Sequence, residues 1–160
     1  KLSKTSGVTC YAHAMRPEST GSIHINSKNT TDPPIIKFNF LSTEIDIEVT
    51  LKAIRIARSI MTAPVMERLQ ITEASPGTDK VSDAELLDWA KEVGETTYHP
   101  VGTCKMGLDQ MAVVDHQLRV HGVDRLRVAD ASIMPTQVSG NTNAPSIMIG
   151  EKAADLILAA

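Results

Sequence analysis

Aromatic side chains are scarce in this sequence: one tryptophan, two tyrosines and two phenylalanines make up 3% of 160 residues. A platform that stacks bases or sugars needs several such rings on one face, so that mode of recognition is not expected. An excess of positive charge is also lacking, because 16 Lys and Arg stand against 19 Asp and Glu for a net charge of −3. The sequence therefore carries no electrostatic footprint for nucleic acid or for an anionic membrane. Apolar runs, such as Ile133-Met134 and Ile147-Met148-Ile149, are short and interrupted. They fall far below the ~20 apolar residues that span a bilayer. Residues 1–7 have no apolar core of a secretory signal. Cysteine is limited to Cys10 and Cys104, with no Cys-x-x-Cys pair, which favours two reduced thiols in a cytoplasmic protein over a long-range disulfide. No His-x-x-x-His or His-Glu-x-x-His pattern occurs, so no metal site is expected.

What is present is ordinary for a folded chain. Hydrophobic residues are 42% and charged residues 22% of the total, and a chain of this length buries roughly 70% of its unfolded surface. The first hundred residues read as strands and amphipathic helices. Cys10 to Met15 is a strand candidate, and residues 21–26 alternate with period two, as do Ile36, Phe38 and Phe40. The polar, proline-containing segment 27–34 between them suggests neighbouring antiparallel strands. From Thr43 the period becomes helical, with Ile47, Leu51, Ile54, Ala57 and Met61 on one face, and Pro64 marks a break. Ser82-Asp83-Ala84-Glu85 is a capping box that opens a second helix, with Leu86, Leu87, Trp89, Ala90 and Val93 as its apolar surface and Gly94 as its stop.

The last sixty residues have a different texture. Val113-Val114, Leu118–Val120 and Leu126–Ala129 are short strand candidates, followed by a final helix in which Pro145 suits the first position and Ile149, Ala153, Leu156 and Ile157 form a face. The fold class expected is α+β, an antiparallel sheet with flanking helices.

Histidine is the side chain that titrates unperturbed near neutral pH. His13, His24, His116 and His121 stand alone in strands or polar turns and read as surface or packing residues. His99 opens a constrained segment, Tyr98-His99-Pro100-Val101-Gly102-Thr103-Cys104-Lys105-Met106-Gly107. Pro100 biases His99 toward an extended conformation, and the two glycines permit close backbone approaches. Such a turn serves a plain loop residue as well as a reactive one. A second polar cluster runs from Asp130-Ala131-Ser132 to Gly140-Asn141-Thr142-Asn143-Ala144-Pro145, where Asn143 could simply cap the helix.

Together these segments resemble the C-terminal signatures of the glucose–methanol–choline (GMC) oxidoreductases, flavoenzymes that oxidise alcohols. The resemblance also includes Arg16-Pro17-Glu18-Ser19 with Gly21-Ser22-Ile23, Phe38-Asn39-Phe40-Leu41, Val113-Val114-Asp115, and residues 118–123, 126–135 and 140–155 in order. It covers nearly the whole chain and is nearest to the choline and aliphatic alcohol dehydrogenase branch. It departs at Thr20, where arginine is usual.

By this resemblance, His99 matches the catalytic histidine and Asn141 the second active-site position. Asp130 and Ala131 would lie along the ribityl and phosphate side of FAD, Thr142 and Asn143 beside its ring, and Pro145 at a helix start directed toward it. Alcohol oxidation needs the hydroxyl proton to leave toward a base while the carbon-bound hydrogen leaves as hydride. An alcohol resembles water in acidity, ~16, whereas free imidazole titrates near ~6.5. Full ionisation by such a base would cost about 12 kcal/mol, so proton and hydride must leave in close coupling or the alkoxide must be strongly stabilised. The Asn141 amide can donate a hydrogen bond to the substrate oxygen.

The resemblance further implies that residues 1–96 are a substrate-binding subdomain and that residues 97–160 carry the active site and complete an FAD-binding α/β domain. No Gly-x-Gly-x-x-Gly segment is present, so the dinucleotide-binding region is expected elsewhere. The chain alone is then expected to be inactive and to retain little FAD. A second reading is a non-catalytic binding module that uses the interface left exposed to bind a partner or to self-associate as a homo-oligomer.

Overall fold

The computed structural model describes residues 6–159. They form two compact units: one comprises residues 6–14 together with Phe40–Glu95, the other Met15–Asn39 together with residues 96–159.

The first unit is built on two helices, α1 (Glu44–Met61) and α2 (Asp83–Val93), joined through a 3-10 helix at Pro64–Leu69. Thr43 caps α1 by accepting from the Asp46 N–H, and Arg58 lies in its last turn, so charge complements the helix dipole at both ends. The periodicity identifies the inward face correctly. Leu51 is buried and Ile47, Ile54, Ala57 and Met61 are half-buried, while Glu48, Lys52 and Arg55 are exposed. Opposite α1, Leu86 and Ala90 of α2 are buried. The capping box forms as expected: the Ser82 hydroxyl accepts from the Glu85 N–H at 3.3 Å, and the Glu85 carboxylate accepts from the Ser82 N–H at 2.9 Å. Three backbone and side-chain groups of residues 81–82 donate to that carboxylate, the Ser82 hydroxyl first, and hold its pKa down at about 2. Gly94 does end α2, but in an extended conformation rather than a left-handed one, and Val93 is exposed instead of joining the apolar face. Arg58 grips Glu73 through two nitrogens and also donates to the Gly77 carbonyl at 2.9 Å, fixing the connection between the helices.

The strand expected over Cys10–Met15 is absent. Residues 6–14 run irregularly and almost wholly exposed, and among the described residues no strand pairs with them to receive their backbone hydrogen bonds.

The second unit holds an antiparallel pair, β1 (Ser22–His24) and β2 (Ile35–Lys37), with Ile23 opposite Ile36. The intervening loop is closed by Asp32, whose carboxylate accepts from the Ser27 hydroxyl at 2.6 Å and the Asn29 amide at 2.9 Å. Gly21 is required by the close approach of the two chains, because a Cβ there would lie 2.1 Å from the Lys37 carbonyl oxygen.

The core of this unit is Val114, Leu118, Ile133, Met134, Ile149 and Ala153. Its last two members come from α3 (Asn143–Leu158). Ile149, Ala153 and the half-buried Leu156 form the expected face, whereas Ile157 is exposed. The three strand candidates of the tail reduce to isolated bridges, Met106 with Val114, Val114 with Val120 and Arg119 with Arg127. Leu118, at the start of the second run, and Arg125, just before the third, take positive φ values of 65° and 60°, so the chain turns at the entry to these two runs. Asp115 organises the first of these turns, accepting from the N–H groups of Gln117 at 2.8 Å and Arg119 at 2.9 Å and from the Arg119 guanidinium at 2.8 Å. A small antiparallel sheet accompanied by helices thus makes the fold α+β.

Candidate active site

His99 sits on a loop whose path is fixed from both sides. Tyr98 and Gly102 adopt left-handed φ values of 60° and 87°, and the loop is stitched to the short 3-10 helix Ala131–Ile133. Cys104 N–H donates to the Ser132 carbonyl at 3.0 Å and Met106 N–H to the Ile133 carbonyl at 2.8 Å. That short helix is itself capped by Asp130, whose carboxylate accepts from the Ser132 N–H at 2.8 Å. Asp130 is exposed and Ala131 half-buried.

On its other side the His99 ring meets the start of α3. Its Nδ1 lies 2.9 Å from the Thr142 hydroxyl oxygen, and the Thr142 peptide nitrogen is 3.4 Å from the same ring nitrogen. Thr142 is the N-cap residue of α3, and it is buried with 9% of its surface exposed. The position is unusual for a cap, because its side chain accepts nothing from its own helix. Of the two helical residues whose N–H a cap ordinarily binds, the second and the third, the third is Pro145, which has none. Pro145 therefore occupies the third helical position instead of the first, and Asn143 the first instead of the cap. The Thr142 carbonyl is held by Ser146 through its hydroxyl at 2.6 Å and its N–H at 3.0 Å.

The two polar clusters of the sequence are thus brought together. His99 is half-buried against Thr142, Asn141 is exposed one residue earlier, and Asn143 is exposed one residue later. The segment leading into Asn141 is anchored by Arg16, whose Nε donates to the Ser139 hydroxyl at 2.7 Å. The Thr142 contact with His99 was not evident from the sequence. The signal available for it was a threonine at a helix start with proline three residues on. Of the other histidines, His121 places Nε2 3.2 Å from the Gly107 carbonyl oxygen, and His13, His24 and His116 are exposed. Lys105, near the end of the His99 loop, pairs with Asp109 at 2.8 Å and holds that carboxyl below its ordinary value.

The loop that carries His99 and the start of α3 both fall within residues 17–150, the stretch matched by the family model for the C-terminal region of the GMC oxidoreductases. The chain belongs to this family. It is 48% identical over 154 residues to oxygen-dependent choline dehydrogenase of Klebsiella pneumoniae (strain 342), covering 96% of this chain and 28% of that protein. The corresponding enzyme of Escherichia coli O139:H28 is 47% identical over the same length. The chain therefore spans about 28% of the length of the curated relatives it matches. Among solved structures, pyridoxine 4-oxidase from Mesorbium loti superposes with a TM-score of 0.83 at 36% identity, covering 91% of this chain and 28% of that one. An FAD-dependent oxidoreductase from Chaetomium thermophilum gives 0.84 at 34% identity, covering 89% and 25%.

Proposed function

We propose that this chain is the active-site-bearing C-terminal part of an FAD-dependent enzyme that oxidises the CH–OH group of a small, choline-like alcohol. The observation that carries the reading is the fixed His99 ring, held at Nδ1 by Thr142 beside Asn141. In this reading residues 1–96 serve chiefly to bind substrate, and residues 97–160 complete the flavin domain. The dinucleotide-binding region with its Gly-x-Gly-x-x-Gly turn is the partner this part requires, and without it the chain neither turns over nor retains FAD.

The residues present fit a flavin. The first turn of α3 leaves the N–H groups of Asn143 and Ala144 without intrahelical partners, both residues are exposed, and a helix start favours a group that gains negative charge. Asn143 and Pro145 would line the ring side, with Asp130 and Ala131 along the rest of the cofactor. When bound, FAD supplies the hydride acceptor.

The chain's own contribution is to the proton and to charge on oxygen. Nε2 of His99 takes the substrate's hydroxyl proton, and the Asn141 amide donates a hydrogen bond to the oxygen as its charge grows. Asparagine suits this post because its amide does not compete for the proton. The test is His99→Ala in the intact, flavin-loaded enzyme. Turnover should fall by roughly 10²–10⁴ with the flavin spectrum retained, and wild-type turnover would sink the assignment.

A further inference from the structure

We propose that the Thr142 hydroxyl is a positioning group that selects the tautomer of His99, overriding the peptide N–H beside it. The inference rests on the reading of His99 as the base and deepens it. A neutral imidazole carries one proton, and only the nitrogen without it can accept another. For Nε2 to act as base, the ring proton must reside on Nδ1. Nδ1 faces two groups, both from Thr142, and they have opposite consequences.

The Thr142 peptide N–H, 3.4 Å away, can only donate. Acting alone it would make Nδ1 an acceptor and drive the proton to Nε2, leaving the ring unable to take a proton from substrate. The hydroxyl is closer, at 2.9 Å, and can accept as well as donate. By accepting Nδ1–H it keeps the Nε2 lone pair free, and its shorter contact outweighs one at the long edge of hydrogen-bond range. Two further observations mark the hydroxyl as available for this task. It makes no capping bond to its own helix, whose third residue, Pro145, has no N–H to offer. It is also buried, so water does not readily take its place. Thr142 is accordingly assigned to His99 rather than to the flavin ring.

The experiment uses the intact flavoenzyme with 15N-labelled histidine, at a pH well above the ~6.5 of free imidazole, with the His99 signals assigned by their loss in His99→Gln. Protonated and unprotonated ring nitrogens resonate apart, so the tautomer is read directly and independently of turnover. Wild type and Thr142→Ser should both carry the proton on Nδ1. Thr142→Val, which keeps the shape and the peptide N–H but removes the hydroxyl, should carry it on Nε2 and lose kcat roughly ten- to a hundredfold, less than the full ~10²–10⁴ a general base supplies, with KM changed less. A wild-type ring protonated at Nε2, or a valine variant that keeps Nδ1–H or full kcat, overturns the proposal. Should the valine variant not fold, the wild-type and serine signals still decide. Normal turnover in His99→Ala alongside the expected tautomers would instead remove the role of His99 as base while leaving the tautomer selection standing.

Discussion

The His99 Nδ1 atom lies 2.9 Å from the Thr142 hydroxyl, joining positions 43 residues apart in the chain. Through this contact a loop and a helix start share one anchor, and Asn141, the neighbour of Thr142, is held in sequence beside the partner of the histidine. The orientation of His99 thus depends on how α3 begins, and the expected outcomes below bear on different parts of that arrangement.

Asn141→Asp replaces an amide donor with a carboxylate where negative charge grows on the substrate oxygen. In the intact enzyme kcat should fall by about 10²–10³, the usual effect of removing one such donor, with flavin content unchanged. Steady-state kinetics together with the flavin absorbance check it. Loss of flavin in place of kcat would mean the side chain serves the cofactor.

Gly102→Ala addresses the loop beneath His99. With φ at 87°, an alanine Cβ is strained by its own backbone even though it would sit 3.4 Å from the Met134 carbonyl oxygen, an ordinary contact. A left-handed conformation costs a residue with a Cβ about 1–2 kcal/mol. Thermal denaturation should show a lowered Tm, and an unchanged Tm would mean the loop relaxes at no cost.

Asp115 gives a dependence on acid. Burial pushes its carboxyl up, but hydrogen bonds from the Arg119 side chain and backbone, then from Gln117, outweigh it and hold the pKa at about 2, below the ordinary 3.8. A folded-state value that is depressed means the unfolded chain binds more protons between these two values. The stabilisation is therefore complete above the ordinary aspartate value and is lost as pH falls toward about 2. Denaturation followed across that window should show a shallower acid slope in Asp115→Asn. An identical slope would show that other carboxylates dominate.

The helices were legible because their signals are local and redundant. The α1 face repeats over five turns, and Ser82 with Glu85 satisfies two free amides within four residues. The hairpin followed from alternation on both sides of a polar loop. The tail was less legible, since the left-handed turn at Leu118 goes with its burial in the core and its bond to Asp115, not with propensity. Cys10–Met15 alternates too weakly to specify a partner, and a strand without one has nowhere to place its hydrogen bonds. At the site, the resemblance drew attention to His99 and Asn141, but the link through Thr142 is a contact across the fold. Asn143 was the natural cap by residue type. The structure starts the helix one residue earlier than that choice implies and leaves Pro145 in its first turn, without an N–H to offer.

That proline couples two positions that would otherwise vary independently. With a ring at 145, one of the two helix amides that a capping hydroxyl can bind is missing, and the hydroxyl at 142 is directed at His99. A residue at 145 that restored the N–H would offer that hydroxyl a competing bond, stabilising the helix start while drawing the oxygen away from the imidazole. Which side chains are tolerated at 142 is therefore conditional on 145, an epistasis transmitted by one missing hydrogen.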